Sequence, residues 1–322
     1  MPELTDINQI PGIFRANAQD ASAGTGCTVI ICPKGATGAV DVRGGAPATR
    51  ETDLLRPEQT VQRLHAVVLS GGSAYGLAAS CGVADELERH GIGLDVGVGV
   101  VPIVGSACVF DLACGDARTR PDVSMGAAAA RRALDDHEPF ETGNFGAGTG
   151  CTVGKSAGLT RAMKGGLGMG LCQNAQLVCG AISAVNAGGN VIDPATGEVV
   201  AGVLDERGTT TLSAKAALDL ALAADPLIRS NTTISCVVTN ASLTKAQATK
   251  VAQMAADAYA HTICPTHTTN DGDAIFVMAT GDVEAGVDAV GILATAALEH
   301  AIVSGVRDAE SAYGYIAARD LA

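Results

Sequence analysis

The sequence predicts a mixed α and β fold, with sheets covered by helices in layers. Two observations carry this. Short apolar runs of strand length alternate with segments of helical period along the whole chain, and 40 glycines punctuate them in 322 residues. Hydrophobic residues make up 47% of the chain, charged residues 17% and aromatics only 3%. A core built from small side chains follows, and the length is ample to bury it.

The elements read in order as follows. Cys27 to Cys32 and Ala39 to Val42 flank the turn-prone PKGATG and predict a hairpin. His65 to Leu69, the loop SGGSAYG and the helical-period segment Leu77 to Arg89 predict a strand, a glycine loop and a helix. Val96 to Phe110 is the longest apolar stretch; it is short of the ~20 residues that span a bilayer and carries Gly and Pro, so it reads as buried strand, continuing over Val100 to Leu112. Ser124 to Leu134 is an Ala-rich helix, and Gly170 to Val185 gives two strands meeting near Gln173 to Ala175. A helix over Leu212 to Ala223 is broken by DPLIRSN with Pro226, and the β-branched run from Thr232 to Thr239 starts a strand at or beside Thr232. A Ser242 or Thr244 cap opens a helix to about Ala260, then come the loop CPTHTTNDGD, a strand over Ala274 to Ala279 and an apolar helix over Val287 to Val303. No internal repeat or long linker divides the chain, so residues 1–322 are expected to form a single domain.

Composition excludes several classes of function. A net charge of -13 and an isoelectric point near 4.8 repel phosphate backbones and anionic lipid, so neither nucleic acid nor membrane is expected as a partner. Mean hydropathy of +0.26 argues against disorder. The start MPELTDINQI lacks the basic and then apolar layout of a secretory signal, which gives an expectation of a cytoplasmic protein. Ten cysteines occur without a CxxC pair or matching histidines, so they are expected to be buried thiols rather than zinc ligands.

Three segments are candidates for chemistry. Ser70 to Gly76 joins a strand to a helix, where backbone N–H groups can hold an anion; it also reads as a plain tight turn. Its spacing matches neither GxGxxG nor GxSxG, because Tyr75 stands where the second Gly of the latter belongs, so Ser73 is a weak nucleophile candidate. His267, Asp271 and Asp273 share the loop HTTNDGD; they would hold a metal, face a common site across Gly272, or form a polar turn with Asx bonds. Asn231-Thr232 precedes a strand and by itself reads as a loop end.

The motifs GCTVI, GAVDVRGGAP, VVLSGGSAYGLAAS, NFGAGTGCTVGK, AISAVNAGGNVID, NTTISCVVTNA and HTTNDGDAIF occur in this order over nearly the whole chain. In them the sequence resembles the family of L-aminopeptidase/D-esterases, β-peptidyl aminopeptidases and nylon oligomer (6-aminohexanoate) endohydrolases, which are self-cleaving N-terminal-nucleophile-type hydrolases. The resemblance implies an αββα four-layer sandwich within the α/β (α+β) class. It also implies cleavage between Asn231 and Thr232 into chains 1–231 and 232–322, and a homo-oligomer, often a tetramer, of processed protomers. No cofactor or metal is implied, and the substrate would be a small molecule, short peptide or amide.

Carried over onto this sequence, the resemblance makes Thr232 the nucleophile. Its hydroxyl would attack the preceding carbonyl, and hydrolysis of the resulting ester would free an α-amine of pKa ~7.7 to 8, able to act as base for the same hydroxyl. Lys155 would donate to that hydroxyl and keep the α-amine neutral by charge repulsion. Asn186 would be the oxyanion donor, Asp271 and Asp273 would orient the new ammonium or hydroxyl, and Tyr75 would hydrogen-bond nearby. Aminopeptidase members usually place a Ser and an acid in the last loop; Asp271-Gly272-Asp273 and the NTT start look more like the nylon endohydrolase branch. The expected function is hydrolysis of aminoacyl peptides, amides or ω-amino acid oligomers. The alternatives are an acyltransferase of a related self-cleaving class, faintly echoed by GGLGMG at Gly165 to Gly170, an unprocessed small-molecule-binding protein, and a metal hydrolase at His267 and the Asp pair.

Overall fold

The computed structural model describes residues 6–135, 138–223 and 231–321. Eight strands organise it: β1 (Phe14–Asp20), β2 (Thr25–Val42), β3 (Arg63–Ser70), β4 (Val104–Cys108), β5 (Gly166–Asn174), β6 (Leu177–Asn186), β7 (Thr232–Ala241) and β8 (Ala274–Val283). Among the described residues they hydrogen-bond in the order β5-β6-β7-β8-β2-β3-β4, with the short strand Thr49–Arg50 at the β4 edge and β1 on β2. Only β7 with β8 and β3 with β4 run parallel.

The ladder is one sheet by hydrogen bonding and two by layer, because β2 passes between them. Its first half pairs with β1 and β3, and Thr37 to Val42 pair with β8. Between Ile31 and Ala36 the register breaks, with only His65 between their partners Ala66 and Leu64 on β3. Pro33 has no N–H for the ladder and Gly35 takes φ +72, so the chain bulges here instead of reversing. The hairpin expected from PKGATG is therefore corrected to one 18-residue strand.

Six helices complete the framework among the described residues: α1 (Ala78–Arg89), α2 (Val123–Asp135), α3 (Ala214–Ala223), α4 (Lys245–Ala255), α5 (Asp257–Thr262) and α6 (Val287–Arg307). Strand residues alternate between two apolar faces, as they must when both sides are covered. Ile30, Val67, Leu69, Ile182, Ile234, Cys236, Phe276 and Met278 fill the space between the sheets. Val29, Ile31, Ala66 and Val68 face α1 and α2 through Ala79, Val83, Leu87 and Ala130. On the opposite side, Ala181, Val237, Ile275 and Val277 meet Val251, Tyr259, Leu298 and Ala301 of α4, α5 and α6. The layers run helix, sheet, sheet, helix, which is the αββα sandwich.

Other elements follow the expected boundaries with two changes. The apolar stretch Val96 to Phe110 is buried strand only over β4; Gly97 and Gly99 take positive φ and turn the chain, leaving Val98 97% exposed. The helix expected from Thr244 to Ala260 divides at Ala256 into α4 and α5, and its start is fixed by a capping box between Thr244 and Gln247. α6 is long and apolar enough to cross a bilayer, yet Val290, Ala294, Leu298, Ala301 and Ile302 are packed in the core. Seven of the ten cysteines are buried, Cys172 and Cys264 partly so, and Cys81 is exposed. The Pro226 break expected after α3 lies outside the described residues.

Candidate active site

Two strand ends meet in a buried part of the sheet. Thr232, the first residue of β7, pairs with Asn186, the last residue of β6, and Asn231 bridges to Asp271 just before β8. Thr232 is 4% exposed. Its hydroxyl donates to the carbonyl oxygen of Asn231, and the N–H of Gly272 donates to that same oxygen at 3.2 Å. The carbonyl before the strand thus carries the neighbouring hydroxyl and, from Gly272, a backbone N–H of the kind that stabilises charge on a carbonyl oxygen under attack.

Gly272 is required by space. A Cβ there would lie 2.9 Å from Thr232 Oγ1 and 3.1 Å from Cγ2. Gly272→Ala is expected to push the hydroxyl off the Asn231 carbonyl and slow any reaction at that bond, on the order of 10- to 100-fold. Timed sampling of freshly expressed protein by intact mass checks this.

The acidic pair is held from several sides. Asp273 Oδ1 accepts the N–H of Thr233 at 2.8 Å, and Oδ2 accepts from the Thr266 hydroxyl at 3.0 Å and from Nδ1 of His267 at 2.9 Å. Asp271 accepts from the N–H of Thr268, and its backbone carbonyl takes the N–H of Ala46 at 2.8 Å. Burial pushes the Asp271 carboxyl above the usual range, and the neighbouring Asp273 charge pushes it further; the Thr268 bonds and Lys155 pull the other way.

Lys155 is 3% exposed and donates from Nζ to the backbone oxygen of Asn186 at 2.8 Å and to its Oδ1 at 2.9 Å. Burial pushes its ammonium down to about 7, although Cys151, Asp271, Cys114 and Asp111 favour the charged form. Near neutral pH it therefore supplies both an amine and an ammonium. Asn186 Oδ1 also accepts the N–H of Thr152, and Nδ2 donates to the carbonyl of Phe110 at 3.0 Å. Asn186 is the joint between the start of β7 and Lys155.

Thr232, Asn231, Asn186, Lys155, Asp271 and Asp273 are thus brought together. Tyr75 is 62% exposed, and the Arg120 guanidinium lies 3.8 Å over its ring. Ser73 is half-buried at the start of a short 3₁₀ turn over Ser73–Leu77. The side chains of His267 and Asp273 hydrogen-bond to each other, and among the described residues no three His, Cys, Asp or Glu side chains form a metal-holding group.

The glycine loop does hold an acidic group, and it is the chain's own. Asp111 Oδ1 accepts the N–H of Gly72 at 2.6 Å and Oδ2 accepts from Thr25 Oγ1 at 2.7 Å. A Cβ on Gly71 would sit 2.0 Å from Oδ2, so the carboxylate occupies the room that glycine leaves. Burial pushes the Asp111 carboxyl up, while Thr25, Gly72 and Lys164 oppose it. Lys164 is fully buried, donates to the carbonyls of Gly148, Cys151 and Gly165 and is pushed down to about 8 by burial. Sequence reasoning missed Asp111 and Lys164. The available signal was a lone charge inside an apolar context, FDLAC and AMKGG, which marks a buried and therefore partnered group.

The peptidase family S58 model matches residues 3–318. An uncharacterized aminopeptidase of Mycobacterium leprae (strain TN) is 40% identical over 337 residues, covering 98% of this chain and 92% of its own. The 6-aminohexanoate-oligomer endohydrolase of Paenarthrobacter ureafaciens is 30% identical over 279 residues, covering 85% and 74%. Among solved structures, the L-aminopeptidase D-Ala-esterase/amidase of Ochrobactrum anthropi, a variant of the Ntn hydrolase fold, superposes with a TM-score of 0.69 at 16% identity, covering 97% of this chain and 90% of that one. The chain belongs to peptidase family S58 and is an amide-bond hydrolase.

Proposed function

We propose that the chain activates itself by cutting the Asn231-Thr232 bond and then hydrolyses amide bonds with Thr232 as N-terminal nucleophile. The observation that carries this is the buried Thr232 hydroxyl resting on the Asn231 carbonyl oxygen, with Gly272 N–H on the same atom. In the first step Oγ adds to the Asn231 carbonyl carbon and its proton passes to a base. The C–N bond then breaks with that proton returned to nitrogen, leaving an ester. Water then cleaves the bond between the Asn231 acyl carbon and Oγ, restoring the Thr232 hydroxyl and releasing the Asn231 carboxylate, while the α-amine freed in the previous step stays on Thr232. Turnover repeats the same bond changes: Oγ takes the acyl group of a substrate amide, the amine departs and water releases the acid.

The substrates proposed are short aminoacyl peptides and amides and ω-amino acid oligomers. The 6-aminohexanoate-oligomer endohydrolase and aminopeptidase relatives support both classes, and the Asp271-Gly272-Asp273 loop supports the second. The processed protomers are proposed to assemble as a homo-oligomer, for which light scattering is the check. The functional test is amine release from aminoacyl anilides, β-aminoacyl amides and 6-aminohexanoate oligomers by the cut protein. Product from at least one class is expected; cut protein inert toward all three contradicts the proposal. Transfer of the acyl group to an added amine in place of water would favour the acyltransferase alternative.

A further inference from the structure

We infer that His267 is a positioning residue for the Thr232 reaction, aiming Asp273 at the backbone of the residue that follows the nucleophile. The inference rests on the self-processing reading above. The β7–β8 ladder begins at Ile234 and Ala274, so Thr233 lies one residue outside it. Two side chains hold Thr233 there instead. Asp273 Oδ1 accepts its N–H at 2.8 Å, and the Tyr259 hydroxyl donates to its carbonyl at 3.1 Å.

His267 ties these two grips together. Its ring stacks on Tyr259 with centroids 5.5 Å apart and planes inclined by 21°. Its backbone N–H and its Nδ1 both donate to Asp273 Oδ2, at 3.1 and 2.9 Å. The residue adopts φ +56 to do so, a conformation that few non-glycine residues take. Nε2 is buried with no hydrogen-bond partner, so Asp273 is the ring's one polar tether. A half-buried ring whose inner nitrogen has no partner is a poor choice for packing alone, because an apolar ring would stack there without leaving a polar atom unsatisfied.

The arrangement gains importance once the chain is cut. Thr232 then loses its covalent link to Asn231, and beside its ladder pairing with Asn186 the peptide bond to Thr233 is its one remaining covalent attachment. Whatever fixes the Thr233 backbone then fixes the hydroxyl and the new α-amine.

Two variants separate the hydrogen bond from the stacking. In His267→Asn the amide nitrogen takes the place of Nδ1 against Asp273, and Asn tolerates positive φ. In His267→Phe the ring remains over Tyr259 and the donor is gone. Turnover of an aminoacyl anilide is measured with kcat normalised to folded, cut protein by thermal midpoint and intact mass. The expected result is His267→Asn within about threefold of wild type, and His267→Phe down roughly 10- to 100-fold in kcat with KM little changed. A His267→Phe chain that folds and stays uncut while His267→Asn is cut supports the inference equally. Full kcat in His267→Phe, or equal activity in the two variants, overturns it. Failure of the underlying reading shows differently, as a Thr232→Ala chain that still turns over substrate.

Discussion

Thr232→Ala is expected to leave the chain whole and without amide hydrolysis. The change removes the one oxygen that rests on the Asn231 carbonyl while leaving the strand backbone, its pairing with Asn186 and the Gly272 N–H in place. Fold and oligomeric state should therefore match wild type by circular dichroism and light scattering. Loss of a nucleophile that forms a covalent intermediate removes the pathway itself, so turnover should fall by about 10⁴-fold or more, to the residue left by binding and oxyanion contacts. Thr232→Ser, which keeps a hydroxyl at the same atom, should still cut and still turn over substrate. A whole Thr232→Ala chain with wild-type activity would place the nucleophile elsewhere.

Lys155→Met should have the second largest effect, and it should fall more heavily on the first cut than on later turnover. On the proposed reading no free α-amine exists at Thr232 before cleavage, and Lys155, joined to the start of β7 through Asn186, would in its neutral form be the base for the first cut. After cleavage the α-amine, with an ordinary pKa of ~7.7 to 8, can share that work. Met preserves the length of the buried chain and removes the titrating nitrogen, and loss of a general base typically slows a step by about 100- to 10⁴-fold.

The pH dependence follows from the same group. Burial pushes Lys155 down to about 7, so it is protonated below that pH and neutral above it. Self-cleavage of wild type should accelerate as pH rises through about 7 and then level off. In Lys155→Met that rise should vanish from the cleavage step. Rates taken from intact mass against time at several pH values give both results. A wild-type cleavage rate flat from pH 6 to 8 would separate Lys155 from the proton transfer.

Much of this site is legible in the residues themselves. The β-branched run after DPLIRSN places Thr232 at a strand start, and the ordered motifs name Lys155, Asn186 and the Asp pair. The layers are legible because glycine-spaced apolar runs alternate with small-residue helices. Pairing is not: nothing local tells that Asn186 ends its strand opposite Thr232, or that Gly272 N–H reaches the Asn231 carbonyl. Those contacts depend on strand register between segments distant in the chain.

The departures have physical causes too. PKGATG has the composition of a turn, yet Pro33 and Gly35 are equally at home in a bulge, and only the second sheet waiting for Thr37 to Val42 decides between them. Glycines in SGGSAYG suggest room for an external anion, and the occupant is Asp111. A carboxylate buried by tertiary contacts leaves no periodic trace. Tyr75 belongs to a matching motif, but the structure puts its ring at the surface under Arg120.

Intact mass with N-terminal sequencing of purified wild-type protein decides whether the chain is cut before Thr232. The prediction is two chains, residues 1–231 and 232–322, with the smaller one beginning Thr-Thr-Ile-Ser. A chain that stays whole through expression and prolonged incubation above pH 7, while hydrolysing amide substrates, would contradict it.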